Sequence, residues 1–323
     1  MDTNNELVSV VMPTRNRRVM MARTLSTVLN QSYRNIEVII VNEASTDDTA
    51  EFLASVDDPR VSVIHNVEPG GVARARNKGI EKAQGRYIAF TDDDDLWAPE
   101  KVDAQVSALK ANPDAVWSFV GAIVVDPKLK PLRFQKAPPT TDLAKRLLEI
   151  NHVPGGASGV LTYTDVVREL GGFDPEFHHF ADWDLWQRLA MRGPCAILPA
   201  PLLGYTRHPS ASTLLGNKYD DVELVERKHA DARAQYGAAS PRPGLLMWIG
   251  EMALRVNDKA AARKAYSEAI ELDRSWRTIA RRVLAEVPGY INVLDRLKGR
   301  AVPKDVLADS QRWLGEVDLR NPF

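Results

Sequence analysis

Continuous apolar runs alternate with segments of helical periodicity through the first 125 residues, and this alternation restricts the fold more than any other feature. Uninterrupted apolar runs are typical of strands that are buried on both faces of a parallel sheet. Strands separated by helices form βαβ units, so we predict an α/β fold with a mostly parallel sheet flanked by helices. The predicted strands are Leu7–Met12, Ile36–Val41, Val61–His65, Arg86–Thr91 and Ala115–Val120.

The second half of the chain has a different composition. Four prolines predict that Asp126–Thr141 is a surface loop, and Gly237–Gly244 is rich enough in glycine, alanine and proline to predict a linker. We therefore predict an α/β domain over residues 1–236 and a helical extension over residues 237–323. Within the extension, Trp248–Leu272 resembles one tetratricopeptide helix pair. A single copy predicts a helical hairpin, because repeat arrays need about three copies for stability.

Charge and cysteine content exclude several classes of protein. The 42 basic and 43 acidic residues leave a net charge of -1, without the basic excess of a protein that binds duplex nucleic acid. A single cysteine, Cys195, excludes an intrachain disulfide and is typical of a reducing compartment. We find neither a signal-peptide pattern at the amino terminus nor an apolar run long enough to span a membrane. These features predict a cytoplasmic protein.

Four consecutive carboxylates, Asp92–Asp95, follow the fourth predicted strand. Adjacent like charges repel, yet this run lies where open α/β sheets bind their ligands. Residues two apart on an extended chain point the same way, so Asp92 and Asp94 would share one side, and Asp93 and Asp95 the other. Two carboxylates on one side can hold a hard divalent cation that also binds phosphate oxygens. The alternative is a solvated acidic turn.

The loops after the other strands suggest a ligand that carries phosphate. Pro13–Asn16 lacks the glycine-rich patterns of dinucleotide-binding and P-loop proteins, which argues against both classes. After the third strand, Gly70 and Gly71 begin a helix whose amino terminus favours anions. That helix also carries positive charge at Arg74, Arg76 and Lys78.

The order of these motifs resembles the inverting family 2 glycosyltransferases with the GT-A fold. The motifs are P-T-R-N, N-E-A-S-T-D, G-G-V-A-R-A-R-N-K-G and D-D-D-D-L-W-A-P-E-K, followed by G-G-F-D-P at Gly171–Pro175, A-D-W-D-L-W-Q-R-L at Ala181–Leu189 and Y-T-R-H-P-S at Tyr205–Ser210. The resemblance covers about residues 6–212. It implies a nucleotide-binding half at about residues 6–125 and an acceptor half at about 140–215.

The resemblance also implies how a donor would be held. Pro13, Thr14 and Arg15 match the loop that borders the nucleotide, and Glu43 matches an aspartate that contacts the nucleobase. The family usually has two acidic residues and then glycine there; Asn42-Glu43-Ala44 departs at each place, which leaves the base open. The remaining donor and metal positions are Arg76 at the diphosphate, Asp92 near the ribose with Asp93 beside it, Asp94 on the metal, and His208 as an additional metal ligand.

For catalysis, the family has a Glu-Asp pair at the start of a late helix, and the Asp is the base. This chain reads Ala181-Asp182, so the glutamate is missing and Asp182 matches the base. Trp183 and His179 are candidates for contacts with the acceptor.

The predicted activity is metal-dependent inverting transfer of a sugar to an acceptor hydroxyl, in bacterial-type polysaccharide or glycoconjugate synthesis. The expected cofactor is Mn²⁺ or Mg²⁺, the donor a UDP-, GDP- or dTDP-linked sugar, and the acceptor a saccharide or a lipid-linked saccharide. The helical extension is also a candidate for peripheral membrane contact through a basic and aromatic face, with a solvated helix face as the alternative. That face would comprise Trp276, Arg277, Arg281, Arg282 and Lys298.

Two other functions stay open at the level of sequence. A nucleotidyltransferase has a related architecture but needs a glycine-rich phosphate loop, which P-T-R-N lacks. A non-catalytic sugar-nucleotide-binding or scaffold protein with a degenerate transferase domain is favoured by Ala181 and Asn42. Against this second alternative, the acidic run, Arg76 and Asp182 are all present.

Overall fold

The computed structural model describes residues 6–207, 218–287, 290 and 302–317. The chain forms two compact units, of which the first comprises residues 1–143, 152–208 and 302–323 and the second residues 144–151 and 209–301. This division differs from the predicted boundary at residues 236 and 237. The closing residues return to the first unit because Trp313 and Leu314 are buried in its apolar core.

A nine-stranded sheet forms the centre of the first unit. The strands are β1 Val8–Thr14, β2 Ile36–Asn42, β3 Val61–His65, β4 Tyr87–Phe90, β5 Leu96–Trp97, β6 Trp117–Val125, β7 Pro131–Gln135, β8 Val160–Tyr163 and β9 Cys195–Thr206. The strand order is β3-β2-β1-β4-β8-β6-β9-β5, with β7 paired to β6. Pairing is parallel from β3 to β4, whereas β8 runs antiparallel to both of its neighbours.

Helices connect the first six strands, except that a short loop joins β4 to β5. The helices that lie in the first unit are α1 Arg18–Leu29, α2 Thr49–Ala54, α3 Val72–Lys82, α4 Lys101–Ala111, α6 Thr164–Glu169, α7 Ala181–Arg192 and α13 Lys304–Leu314. Those of the second unit are α8 Lys218–Lys228, α9 Ala230–Tyr236, α10 Arg242–Arg255, α11 Lys259–Leu272 and α12 Trp276–Leu284, and α5 Leu143–Glu149 crosses the division. All seven residues of β1 are buried, as its continuous apolar run predicts.

The predicted five strands are confirmed, and one prediction for the second half is corrected. Asp126–Thr141 is not wholly loop, because Pro131–Gln135 pairs with β6 as β7. Proline is tolerated at the first residue of such a strand, where the missing N–H costs little. Cys195–Thr206 forms the single long strand β9, whose pairing with β6 shifts register around Gly121. A Cβ at Gly121 would lie 2.6 Å from the Pro199 carbonyl oxygen.

Within the second unit, α10 and α11 form the predicted helical hairpin. The two helices approach closely at Gly250, where a Cβ would lie 2.6 Å from the Tyr266 ring. Tyr266 is buried with Ala253, Ala262 and Ala285. The tetratricopeptide resemblance of this hairpin stays a prediction.

The proposed membrane-contacting face is described only in part. The side chains of Trp276, Arg277 and Lys298 lie outside the described residues. Arg281 pairs with Glu251 at 2.9 Å, and Arg282 pairs with Glu286 at 3.1 Å, so the two described arginines have acidic partners. No helix in the described ranges is long and apolar enough to cross a membrane.

Candidate active site

The acidic loop, Asp92–Asp95, connects β4 to β5 at the carboxyl end of the parallel strands. Its residues form a turn, with the Asp95 N–H donating to the Asp92 carbonyl at 3.4 Å, rather than the extended chain that we assumed. Asp93 and Asp95 are buried, while Asp92 and Asp94 are more exposed. The Thr14 hydroxyl donates to Asp93 Oδ2 at 2.7 Å.

Two arginines compensate the charge of the acidic loop. Arg17 Nη1 donates to Asp93 Oδ1 at 3.1 Å and also to Asp94 Oδ2. Arg76, which is buried, pairs with Asp92. The repulsion expected among four adjacent carboxylates is therefore relieved within the protein itself.

Burial raises the pKa values of the two inward carboxyls. The pKa of Asp93 is raised to about 7 by burial and, to a smaller extent, by the neighbouring Asp94 carboxylate, while Arg17 opposes the shift. Burial also raises the pKa of Asp95 well above its ordinary range. Asp95 is held by the Ser158 hydroxyl, which donates to Oδ2 at 2.5 Å, and by the Thr206 N–H, which donates to Oδ1 at 3.0 Å.

The acidic loop contains a donor set that fits a divalent cation. Carboxylate oxygens of Asp92, Asp94 and Asp95 lie within 4.8 Å of one another. Oxygen ligands of this kind suit Mg²⁺ and Mn²⁺. Asp95 joins the two predicted residues because the turn brings it round to their side. His208, our other predicted ligand, lies outside the described residues.

The predicted base, Asp182, lies in the first turn of α7. Its Oδ1 accepts a hydrogen bond from the Trp183 N–H at 2.7 Å. Burial raises the pKa of Asp182; the positive charge of Arg76 opposes this shift, and the negative charge of Asp92 adds to it. The charges of Arg76 and Asp92, which pair at the acidic loop, are therefore close enough to affect the pKa of Asp182.

A glycine turn lies against this carboxyl. A Cβ at Gly156, which has a φ of +56°, would lie 3.2 Å from Asp182 Oδ2. Two residues further on, Ser158 accepts a hydrogen bond from the Asp92 N–H at 2.9 Å. The Gly156–Gly159 turn thus contacts both the acidic loop and the predicted base.

The G-G-F-D-P motif places an aromatic ring against Arg76. The Phe173 ring centroid lies 5.0 Å from the guanidinium carbon of Arg76, a distance typical of a cation–π contact. Asn77, the next residue on α3, binds both backbone groups of Phe173: it donates to the carbonyl at 2.7 Å and accepts from the N–H at 2.8 Å.

Asp184 and Arg188 hold the other end of the same motif. Buried Asp184 accepts from Arg188 Nε at 2.9 Å, and Arg188 donates to the carbonyls of Leu170 and Gly172 at 2.7 and 2.8 Å. These bonds fix the turn that follows α6. The second aspartate of A-D-W-D is therefore a structural partner, and it does not share the environment of Asp182.

The loop after β2 is fastened to the start of α3. Glu43 Oε2 accepts from the N–H groups of Gly70 and Gly71 at 2.7 and 2.8 Å, and its other oxygen accepts from the Asn66 amide. Asn42 contacts His65 Nδ1 at 3.2 Å. The structure thus places Glu43, our predicted nucleobase contact, where it positions the loop that precedes α3.

The remaining predicted residues differ in exposure. Pro13 and Thr14 are buried at the end of β1, whereas Arg15 is exposed. Trp183 is 1% exposed and packs edge-on to Phe180, with ring centroids 5.8 Å apart, so its ring belongs to the core. His179, the other acceptor candidate, is half-buried.

Sequence reasoning missed Arg17, Ser158 and Tyr205. Arg17 reaches the acidic loop because Asn16 has a φ of 54°, which turns the chain back towards the sheet. The asparagine before Arg17 could have suggested a turn at this point, since asparagine tolerates a positive φ. Burial and the nearby carboxylates, Asp95 foremost, raise the pKa of Tyr205, whose place beside the cluster depends on the long-range pairing of β9.

Comparisons with known proteins agree with this architecture. The first is TarS of S. aureus, residues 1–349 in complex with UDP-GlcNAc, at a TM-score of 0.60 and 17% identity over 94% of this chain and 91% of that one. The second is the mannosyltransferase PcManGT of Pyrobaculum calidifontis, in complex with GDP-Man and Mn²⁺, at a TM-score of 0.55 and 20% identity over 99% and 88%. These similarities confirm the predicted GT-A fold.

Sequence comparisons identify the family. Residues 9–168 match Glycosyl transferase family 2. WcaA of Escherichia coli (strain K12), named for glycosyl transfer in colanic acid biosynthesis, is 31% identical over 71% of this chain and 83% of its own length. The Escherichia coli enzyme WfaP, a UDP-Glc:alpha-D-GlcNAc-diphosphoundecaprenol beta-1,3-glucosyltransferase, is 41% identical over 31% of this chain, a match that spans 40% of WfaP. The chain is a glycosyltransferase and belongs to glycosyltransferase family 2.

Proposed function

We propose that this glycosyltransferase transfers a sugar from a nucleotide-diphosphate donor to an acceptor hydroxyl, with a divalent metal and with inversion at the anomeric carbon. The observation that carries the proposal is the grouping of Asp182, Arg76 and Asp92 at one end of the sheet. A candidate base, a diphosphate-binding cation and a carboxylate of the donor set thereby share one electrostatic environment.

The donor would bind across the loops that follow β1 to β4. Pro13, Thr14 and Arg15 would border the nucleotide. Glu43 would act near the nucleobase indirectly, by positioning the loop that precedes α3. Arg76 would exchange Asp92 for the diphosphate, with Phe173 beneath it to limit its movement. Asp92 and Asp93 would complete the donor site. This site lies at the carboxyl ends of the strands, where open α/β sheets bind their ligands.

Asp94 would be the principal metal ligand, supported by Asp92 and Asp95 and, among residues outside the described part of the chain, by His208. A bound Mn²⁺ or Mg²⁺ would neutralise negative charge on the departing diphosphate. Arg76 supplies a second positive charge at the same phosphates. PcManGT, which has the same fold, was solved with Mn²⁺, and this supports the choice of metal.

Asp182 would accept the proton of the acceptor hydroxyl as the oxygen attacks the anomeric carbon. Its raised pKa makes it a stronger base than an ordinary aspartate. Attack from the side opposite the leaving diphosphate inverts the anomeric configuration. His179, which is half-buried, is the proposed acceptor contact, whereas the Trp183 ring packs in the core.

The relatives suggest the substrates and the setting. TarS was solved with UDP-GlcNAc and PcManGT with GDP-Man, and the name of WfaP gives a UDP-Glc donor with a diphosphoundecaprenol acceptor. We therefore propose a UDP-, GDP- or dTDP-linked donor and a saccharide acceptor, free or lipid-linked, in bacterial polysaccharide synthesis. The setting would be cytoplasmic, at the inner face of the membrane when the acceptor is lipid-linked.

Thermal denaturation with a panel of nucleotide sugars tests the donor site. UDP-, GDP-, dTDP- and CMP-sugars are each added with and without Mn²⁺, because a ligand of the native state raises its apparent stability. We expect one nucleotide to raise the melting temperature only with metal, and Asp94→Asn to abolish that increase. Asp126→Asn, a change of the same kind in a surface turn, is the control. A folded protein that responds to none of the donors would contradict the proposal.

A further inference from the structure

We propose that Arg17 is a resident cation that competes with the metal for the acidic loop and is released when a diphosphate binds. The inference rests on the proposed function, because it concerns the same metal and donor. Its consequence is that the metal binds weakly to the free enzyme and strongly to the enzyme with nucleotide. Arg17 would set that difference.

The contacts of Arg17 are the first argument. A single nitrogen, Nη1, bonds to Asp93 Oδ1 at 3.1 Å and to Asp94 Oδ2, so the guanidinium already uses an oxygen of the principal metal ligand. A divalent cation at Asp94 would lie within a few ångströms of this charge. Repulsion at that distance in a partly buried site weakens metal binding.

The second argument is that Arg17 is more exposed than Arg76. The Arg17 side chain is 23% exposed, whereas that of Arg76 is 6% exposed and lies over the Phe173 ring. When Arg17 leaves, Asp93 keeps the hydrogen bond from Thr14 at 2.7 Å. The departure of Arg17 therefore does not leave the buried Asp93 carboxyl without a partner.

The third argument is the position of Arg17 in the chain. It follows the Pro13–Arg15 loop that is proposed to border the nucleotide, and the turn at Asn16 points it towards the acidic loop. A released guanidinium can bind phosphate oxygens through two parallel N–H bonds. Diphosphate would thus draw Arg17 away from Asp94, and by reciprocity metal and nucleotide would each strengthen the binding of the other.

Titration of Mn²⁺ alone, followed by the electron paramagnetic resonance signal of the free ion, tests the inference in the full chain. Arg17→Gln removes the competing charge, and we expect Mn²⁺ to bind about tenfold more tightly than in the unsubstituted protein. Arg17→Met keeps most of the side-chain length and should give the same result, so it replaces the glutamine variant if that variant does not fold. Arg17→Lys retains the charge and should keep the metal affinity close to that of the unsubstituted protein.

Arg18→Gln is the matched control. It removes the same charge one residue away, where Arg18 forms an exposed pair with Asp48 at 2.8 Å, and we expect less than a twofold change in Mn²⁺ affinity. Repeating the titration with UDP and then with GDP measures the coupling. In Arg17→Gln the gain in metal affinity on adding nucleotide should be smaller than in the unsubstituted protein.

The outcomes separate this inference from the function on which it rests. Equal or weaker Mn²⁺ binding in Arg17→Gln and Arg17→Met, with nucleotide still strengthening metal binding, would overturn the role of Arg17 and leave the transferase proposal intact. An equal increase in Arg18→Gln would also overturn it, because the effect would then come from overall charge. If neither the unsubstituted protein nor any variant binds Mn²⁺, with or without UDP or GDP, both proposals fail.

Discussion

The loops that follow β1 to β4 and the segments around Asp182 are held together in different ways. The loops are neighbours because parallel strands end at the same edge of the sheet, and short bonds such as Thr14 to Asp93 join each loop to the next. Around Asp182 the joined segments do not follow neighbouring parallel strands, and individual side-chain hydrogen bonds connect them, for example between Asn77 and Phe173 and between Ser158 and Asp95. We call the loops that follow β1 to β4 the donor side and the segments around Asp182 the base side. The arrangement of the donor side therefore depends on sheet topology, and the arrangement of the base side depends on individual side-chain contacts.

Replacing the catalytic base, Asp182, should have the largest effect, because it should reduce turnover while leaving donor and metal binding nearly unchanged. Asp182→Asn keeps the side-chain volume but removes the proton acceptor, so we expect the turnover number to fall about 10²- to 10⁴-fold. Binding of donor and metal should stay within about twofold, measured by thermal denaturation with Mn²⁺ and the donor. A loss of donor binding as large as the loss of turnover would show that Asp182 acts on the donor side instead.

Ser158 connects the two sides, so its removal should affect both stability and metal binding. In Ser158→Ala the buried Asp95 carboxyl and the Asp92 N–H each lose a partner, and we expect a loss of about 1–3 kcal/mol in the free energy of unfolding. The affinity for Mn²⁺ should fall as well, because the acidic loop is less well positioned.

Ser55→Ala, which alters an exposed hydroxyl at the end of α2, is the matched control and should change the free energy of unfolding by less than about 0.5 kcal/mol. Denaturant unfolding without metal measures the stability of both variants. A destabilised Ser158→Ala that binds Mn²⁺ normally would mean that the turn supports the fold alone.

Asn77→Ala should disturb a contact near Asp182 whose effect reaches donor binding through Arg76. The Phe173 N–H and carbonyl both lose their partner, which we expect to cost about 1–3 kcal/mol of stability. The Phe173 ring would also lie less firmly against Arg76, so the KM for the donor should rise more than the turnover number falls. Steady-state kinetics with varied donor decide this, and a change in the turnover number alone would contradict the proposed route through Arg76.

The pH dependence of turnover should show the smallest effect. Asp182 must be deprotonated to act as a base, and burial raises its pKa, so turnover should fall as the pH decreases through a pKa above the ordinary aspartate value of about 3.9. Saturating donor and metal remove the contribution of binding. Turnover that stays constant down to about pH 4 would contradict a raised pKa at the base.

The sequence allowed the donor side to be predicted further than the base side. Apolar runs and the residues that follow them place Thr14, Glu43, Arg76 and the acidic loop at one edge of the sheet. Arg17 was missed, because its direction depends on the positive φ of Asn16, a conformation that asparagine permits but does not require.

The base side depends on pairings that have no local signal. Ser158 reaches Asp95 only because β8 is inserted between β4 and β6, and Thr206 reaches it only because β9 pairs with both β6 and β5. The return of α13 to the first unit, with a Cβ at Gly204 lying 3.1 Å from the Trp313 ring, was missed for the same reason. The same kind of contact between distant segments places residues 302–323 in the first unit, contrary to the predicted boundary.

The configuration of the sugar that the enzyme releases tests the central claim most directly. In the absence of acceptor, water can replace the hydroxyl, and proton NMR can follow the anomeric signal of the freshly released sugar before it mutarotates. With the donor identified by thermal denaturation, we predict that the first product has the anomeric configuration opposite to that of the donor and that Asp182→Asn abolishes its formation. Retention of configuration, or release at an unchanged rate in Asp182→Asn, would contradict inverting transfer with Asp182 as the base.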